Sequence, residues 1–169
     1  MIDPEVIDAL RELAHAAHVS ESTLVRVAET CRQVTLTDGA VLFREGEVSS
    51  RAYFVREGSV ALQINAPPHG ATRLLTLGPG ELVGWSPFLG AGAMTATAAA
   101  VGDVTLLEVD AVALRVLLES EPRAGYEIMR WVASALAKRL IATRLQLLDI
   151  YHDEAPRIPE ARNDAGSAS

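Results

Sequence analysis

Leu77–Val101 reads LGPGELVGWSPFLGAGAMTATAAAV, and the rest of the chain is arranged around it. A Gly-Pro-Gly turn leads into a short apolar strand, Glu81 to Val83, and then into Gly84-Trp85-Ser86-Pro87-Phe88. Gly84 allows a sharp backbone turn, and Pro87 stands where a short helix can begin, since a first-turn proline gives up an N–H that would be unpaired anyway. After a glycine- and alanine-rich connection, a strand is expected to open at Met94-Thr95-Ala96-Thr97. Amide groups at a helix start favour an anion in front of them. The stretch has the shape of a phosphate-holding pocket, yet no charged side chain lies between Leu82 and Thr97.

On either side, short segments rich in β-branched and apolar residues alternate with glycine turns. RQVTL, AVLF, AYFVRE, SVALQIN, TRLLTL, ELVG, MTATAAAV and VTLLEVD are separated by DG, EGE, EG, PPHG, GPG, the glycine-rich loop and GD. This predicts eight antiparallel strands over about residues 32–110, a β-roll or jelly roll without a βαβ rhythm. Gly58, between two strong strands, reads as a tight hairpin position.

Helical spacing brackets the roll. Val6, Leu10, Leu13 and Ala17 share a face over residues 4–17. Ser20 is the expected N-cap of a second helix, SESTLVRVAETC, on which Leu24, Val27 and Cys31 share a face, with Cys31 packing as a small apolar residue. Asp110 is positioned to cap AVALRVLLE, and Pro122 to open a long helix to about Tyr151. On that helix Met129, Ala133, Leu136, Leu140, Thr143, Leu147 and Ile150 alternate at spacings of four and three, the pattern of a helix–helix seam. Tyr126 to Ala137 is apolar nearly all round, so one side is expected on the roll and the other on a second copy. The fold class is α+β, mainly β, with residues 1–151 as one domain and 152–169 as a disordered tail holding two prolines and almost no large apolar residue.

Composition narrows the function. The chain has 169 residues, a net charge of −7 and 49% hydrophobic residues, which fits one domain and argues against a broad nucleic-acid surface. No apolar run reaches the roughly 18 residues of a membrane span. The acidic, amphipathic start MIDPEVIDALREL does not read as a signal peptide. A single cysteine leaves no internal disulfide and points to the cytoplasm. His15, His18, His69 and His152 fall outside the expected strands, so no metal site is assigned and a metal-dependent roll enzyme is not expected. Neither a catalytic triad nor a phosphate-binding Walker loop is present, and an enzyme is not expected.

Two N-terminal helices, an eight-stranded roll and a long C-terminal helix resemble the cyclic nucleotide-binding domain of the catabolite activator protein superfamily, over roughly Glu21 to Tyr151. Phe43-Arg44-Glu45-Gly46-Glu47, Tyr53-Phe54-Val55-Arg56-Glu57-Gly58-Ser59-Val60 and Gly80-Glu81-Leu82-Val83-Gly84 carry the likeness. The resemblance implies a phosphate-binding cassette at Gly80 to Thr97. It also implies a glutamate for the ribose hydroxyl where this chain has Trp85, and an arginine and a serine for the phosphate where it has Thr95 and Ala96. Losing the two charged contacts, at about 1.5–3 kcal/mol each, weakens cyclic AMP binding on the order of 100-fold or more. Thr143 matches the family's purine-contacting hydroxyl, with Arg139 one turn before it. The Gly-Trp-Ser cassette is similar to that of stand-alone bacterial members. In it the hydroxyls of Ser86, Thr95 and Thr97 are candidate ligand contacts and Trp85 a surface for stacking on a flat ring.

The resemblance implies no cofactor beyond a cyclic nucleotide or similar small ligand. The DNA-binding members carry a helix-turn-helix after the long helix, whereas here a tail follows in which Asp153, Glu154, Glu160 and Asp164 outnumber Arg157 and Arg162. Two readings stand. One is a dimeric sensor that signals to an unidentified downstream protein, and the other is a scaffold subunit that kept the fold without the ligand.

Overall fold

A computed structural model of the chain describes residues 3–14, 19–68, 70–90 and 92–154, with the side chains of 14 and 146–154 excepted. His15, His18, His69 and the predicted tail from 155 onward lie outside the described residues, as do the side chains of Leu147, Ile150 and His152. The elements run α1 (Pro4–Ala14), α2 (Glu21–Ala28), β1 (Cys31–Leu36), β2 (Val41–Phe43), β3 (Arg51–Asn65), β4 (Ala71–Leu77) and β5 (Leu82–Val83). Then come a 3-10 turn η1 (Ser86–Leu89), β6 (Thr97–Asp110), α3 (Ala111–Ser120) and α4 (Pro122–Glu154). The chain forms two compact units, residues 1–135 and 136–169, and α4 contributes to both.

The sheet is antiparallel, in the order β1-β6-β3-β4, with β2 added on β6 and β5 on β3. All eight predicted segments fall in or beside these strands, but four of them merge into two long ones. AYFVRE and SVALQIN run on as β3, and the two segments on either side of Gly102 run on as β6. Gly58 is therefore a bend inside a strand, not a hairpin. It sits at φ +81, between register shifts at residues 55, 57 and 59, with the Asp103 carbonyl oxygen 2.5 Å from where a Cβ would stand. A positive-φ glycine serves a turn and a strand bend equally well, and here cross-strand pairing chose the bend.

Alternation along the two long strands separates two apolar faces. Phe43, Tyr53, Val55, Val60, Leu77, Val83, Met94, Ala98, Val104 and Leu106 form the core inside the roll. On the other face Ala52, Phe54, Leu107 and Val109 are buried, and the Phe54 ring stacks on Trp131 of α4 with centroids 4.7 Å apart and planes 7° from parallel. Such a pair adds about 0.5–1.5 kcal/mol to plain burial. It fixes the first half of α4 against the sheet, together with the buried Ala124, Ile128 and Val132.

Several element boundaries depart from the sequence pattern. Thr30 donates to the Val27 carbonyl, and its own carbonyl accepts from the Asp110 amide, so α2 stops at Ala28 and Cys31 opens β1 opposite Val109. Burial drives the Cys31 thiol up to about 12. Ser20 stands at the N-cap of α2 as expected but makes no side-chain capping hydrogen bond; its hydroxyl is turned to α4, donating to Glu127 Oε2 at 2.7 Å. Asp110 does cap α3, accepting from the amides of Val112 and Ala113. Pro122 opens α4, which continues through Glu154 and so takes in the first three residues of the expected tail.

Candidate functional site

The cassette starts from a tight turn. Gly80, at φ +86, donates its amide to the Val55 carbonyl at 2.8 Å, while Glu81 Oε2 accepts from the Gly78 amide at the same distance. The Glu81 carboxylate thus serves the turn. Leu82 and Val83 are fully buried and pair with Phe54 and Tyr53. Gly84 follows at φ +74, where a Cβ would stand 2.9 Å from Phe43 Cε1 and 3.4 Å from the Met94 methyl. The absence of a side chain at residue 84 is what lets the cassette lie directly on the roll's core.

Trp85, half-buried, occupies the position before η1, and Pro87 lies in its first turn as expected. Ser86 is 3% exposed, one of three buried polar residues among the described residues. Gly90 ends η1 in the left-handed conformation, its amide donating to the Pro87 carbonyl. The arm that returns to the sheet is pinned differently from the expectation. Met94 exchanges backbone hydrogen bonds of 2.8 Å with the turn at Gly46 and Glu47, so β6 opens at Thr97, not at Met94. Thr95 is exposed, Ala96 is buried, and Thr97 Oγ1 accepts from the Glu45 amide at 2.9 Å.

The sequence pattern missed Glu45. Its side chain accepts from the Asn65 amide while its own amide donates to Thr97, so the Glu45-Gly46-Glu47 turn clamps the cassette's exit. The Gly-Glu turn was visible, but its partners lie twenty and fifty residues away in the chain and left no local signal.

Structure therefore seats Gly84 on the Phe43–Met94 corner of the core and ties Thr97 to the Glu45 turn, with Ser86 buried two residues after Gly84. Arg139 and Thr143 belong to the second compact unit, where Thr143 Oγ1 donates to the Arg139 carbonyl at 2.9 Å. Along α4, Met129 and Leu140 of the expected seam are 38% and 59% exposed, Ala133 is exposed, and Leu136 and Thr143 are half-buried. Tyr126, Ile141 and Leu145 also present apolar surface to solvent.

At one end of the roll, Arg32, Glu108 and Tyr53 lie side by side on β1, β6 and β3. Glu108 is buried and held by Arg32 at 2.7 Å, and Arg51 joins Glu108 to the α3 cap Asp110. Burial, then the Glu108 charge, pushes the Tyr53 phenol up. Among the described residues no three metal-ligating side chains stand together, and no helix is long and apolar enough to cross a membrane.

Comparison with known proteins meets this geometry. Residues 33–121 match the family model of the cyclic nucleotide-binding domain. The chain is 26% identical over 138 residues to a CRP-like cAMP-activated global transcriptional regulator of Mycobacterium tuberculosis strain H37Rv, covering 82% of this chain and 60% of that protein. It thus spans well under the full length of that relative. The N-terminal domain of a transcriptional regulator from Streptomyces coelicolor A3(2) is 32% identical, with 80% of this chain and 94% of that one covered and a TM-score of 0.64. A cyclic nucleotide-binding domain from Methylobacillus flagellatus KT superposes with a TM-score of 0.78 over 86% of this chain and 84% of that one. At 15% identity, its likeness is one of fold.

Proposed function

Since the chain belongs to the cyclic nucleotide-binding domain family, we propose that it is a regulatory module that takes a small ligand, with a cyclic nucleotide as the candidate, at its cassette. It works as a homodimer through α4 and passes its state to a separate protein. Supporting this is the seating of Gly84 on the Phe43–Met94 core, followed directly by the half-buried Trp85 and the buried Ser86 in the stretch that the resemblance gives to the ligand. Thr97 Oγ1 accepts one hydrogen bond, so its own proton can point at an anion, and the exposed Thr95 is a second candidate hydroxyl on the arm. Neutral hydroxyl contacts of about 1 kcal/mol replace the stronger charge-assisted ones. The module is therefore expected to bind cyclic AMP weakly, or to prefer a ligand with a flat ring for Trp85 and less charge.

Isothermal titration of the full chain with cyclic AMP, cyclic GMP and linear nucleotides tests this. Saturable binding that falls about 5- to 10-fold in Trp85→Ala or Thr95→Ala supports the sensor, since each change removes about 1 kcal/mol of contact. The cassette's lack of a charged residue from Leu82 to Thr97 also favours the second reading, a scaffold subunit without a ligand, and silence across the panel selects it. In both readings α4 carries the dimer seam, with Thr143 matching the family's purine-contacting hydroxyl and Arg139 one turn before it. The net charge of −7 argues against nucleic acid, and the lone cysteine favours the cytoplasm.

A further inference from the structure

A groove of about 300 Å3 opens between η1, α3 and the first half of α4, apart from the cassette's hydroxyl groups. Phe88, Ile128 and Val132 in its lining are buried, Leu118 is half-buried, and Met129 reaches solvent. Close approach of two helices makes the groove. Gly125 lets α4 come so near α3 that a Cβ there would stand 2.8 Å from the Leu118 carbonyl oxygen. A 300 Å3 space takes roughly ten water-sized groups, which is a short alkyl chain.

A charged pair also lines the groove. Arg115 Nε is 3.9 Å from Glu119 Oε1, a long ion pair in which the Arg115 and Glu119 side chains are 45% and 73% exposed. Arg115 also reaches to within 3.8 Å of the Cβ position of Gly90, at the end of η1. Held this loosely, Glu119 leaves the guanidinium's planar fork open to a better-placed carboxylate. Apolar walls with one guanidinium beside them suit an amphiphile: the chain displaces poorly bonded water, and the carboxylate pairs with two N–H groups in parallel. We propose that this groove binds a medium-chain carboxylate, alkyl tail toward Phe88, Ile128 and Val132 and head on Arg115.

Octanoate and octan-1-ol, below any micellar concentration, are the probes for titration of the full chain. Octanoate should saturate one site per chain and bind about 10-fold or more tighter than octan-1-ol, the range of a charge-assisted contact. Arg115→Gln should bring octanoate down to the level of the alcohol, with Arg115→Lys recovering part of the gap. Leu118→Trp, at a half-buried lining position outside the proposed seam, should block both probes, and thermal melts of each variant establish that it is folded. Equal affinity of the unaltered chain for the two probes would overturn the proposal. So would binding indifferent to Arg115→Gln and Leu118→Trp, or binding lost in Trp85→Ala, which puts the probe in the cassette. Octanoate binding confined to a monomeric Leu140→Asp chain would assign the groove to a second copy instead.

Discussion

Replacing Gly84 by alanine adds one methyl group where the cassette meets the core, and two separate costs follow. Gly84 has φ +74, in the left-handed region that an L-residue enters at about 1–2 kcal/mol. The added Cβ would stand 2.9 Å from Phe43 Cε1 and 3.3 Å from Phe43 Cζ. Phe43 is 4% exposed and lies against the Tyr53 ring with centroids 6.5 Å apart, so it has little room to yield, and overpacking of this kind costs about 1–3 kcal/mol. Gly80→Ala provides the control, because Gly80 has φ +86 with nothing within 4 Å of its Cβ position. It should lose only the conformational term. Urea unfolding of both variants at one fixed protein concentration should then separate them by about 1–3 kcal/mol, with similar m-values. At about 2–4 °C per kcal/mol for a chain of this size, the melting temperatures should differ by roughly 2–12 °C. Equal destabilisation of the two variants would refute the reasoning, since Phe43 would then give way freely and the cassette would not be seated on the core.

The Glu127 carboxylate, which accepts from the Ser20 amide and hydroxyl, is held down to about 2 from an ordinary 4.5. A depressed acid stabilises the fold above the higher value and loses that contribution as pH falls toward the lower one. Glu127→Gln should flatten the stability curve between about pH 4.5 and pH 2 in urea titrations, and parallel curves for the two proteins would contradict the assignment. Cys31, with its thiol near 12, should react with a disulfide reagent at pH 8 about 1000-fold more slowly folded than unfolded, because only the thiolate attacks. Leu140→Asp puts a charge in the proposed seam and should give monomers by mass measurement, whereas an unchanged dimer would place the interface elsewhere.

The strands were legible because glycine punctuates them: each turn or bend that needs φ above zero shows its glycine in the sequence. Gly58 and Gly102 were visible for the same reason, but whether the chain reverses or bends at them depends on pairing with distant residues, which no local window holds. Within the cassette, Gly84 and Pro87 could be read directly, since their constraints are their own backbone's. Thr97 looked like a free ligand hydroxyl because its partner, the Glu45 amide, is far away in the chain. Ser20 stands at the cap position its type signals, but its hydroxyl turns to a distant carboxylate of α4, which no local pattern shows. The apolar stripe of α4 was legible as a pattern, and Met129 and Leu140 on it are exposed in the single chain.

Pairing of β3 with β6 begins at Arg51 opposite Asp110 and ends at Gln63 opposite Thr97, so the whole cassette lies inside the loop that this pairing closes. Bringing such distant residues together is the slow, entropically costly part of assembly. A cassette that takes its place after that closure contributes little to the barrier. Substitutions at Trp85 or Ser86 should therefore quicken unfolding while leaving the refolding rate nearly untouched. Val83 and Met94 tie the loop to the core of that frame, while Trp85 and Ser86 stand between them outside it, the positions where the loop can change its chemistry while the frame stays as it is.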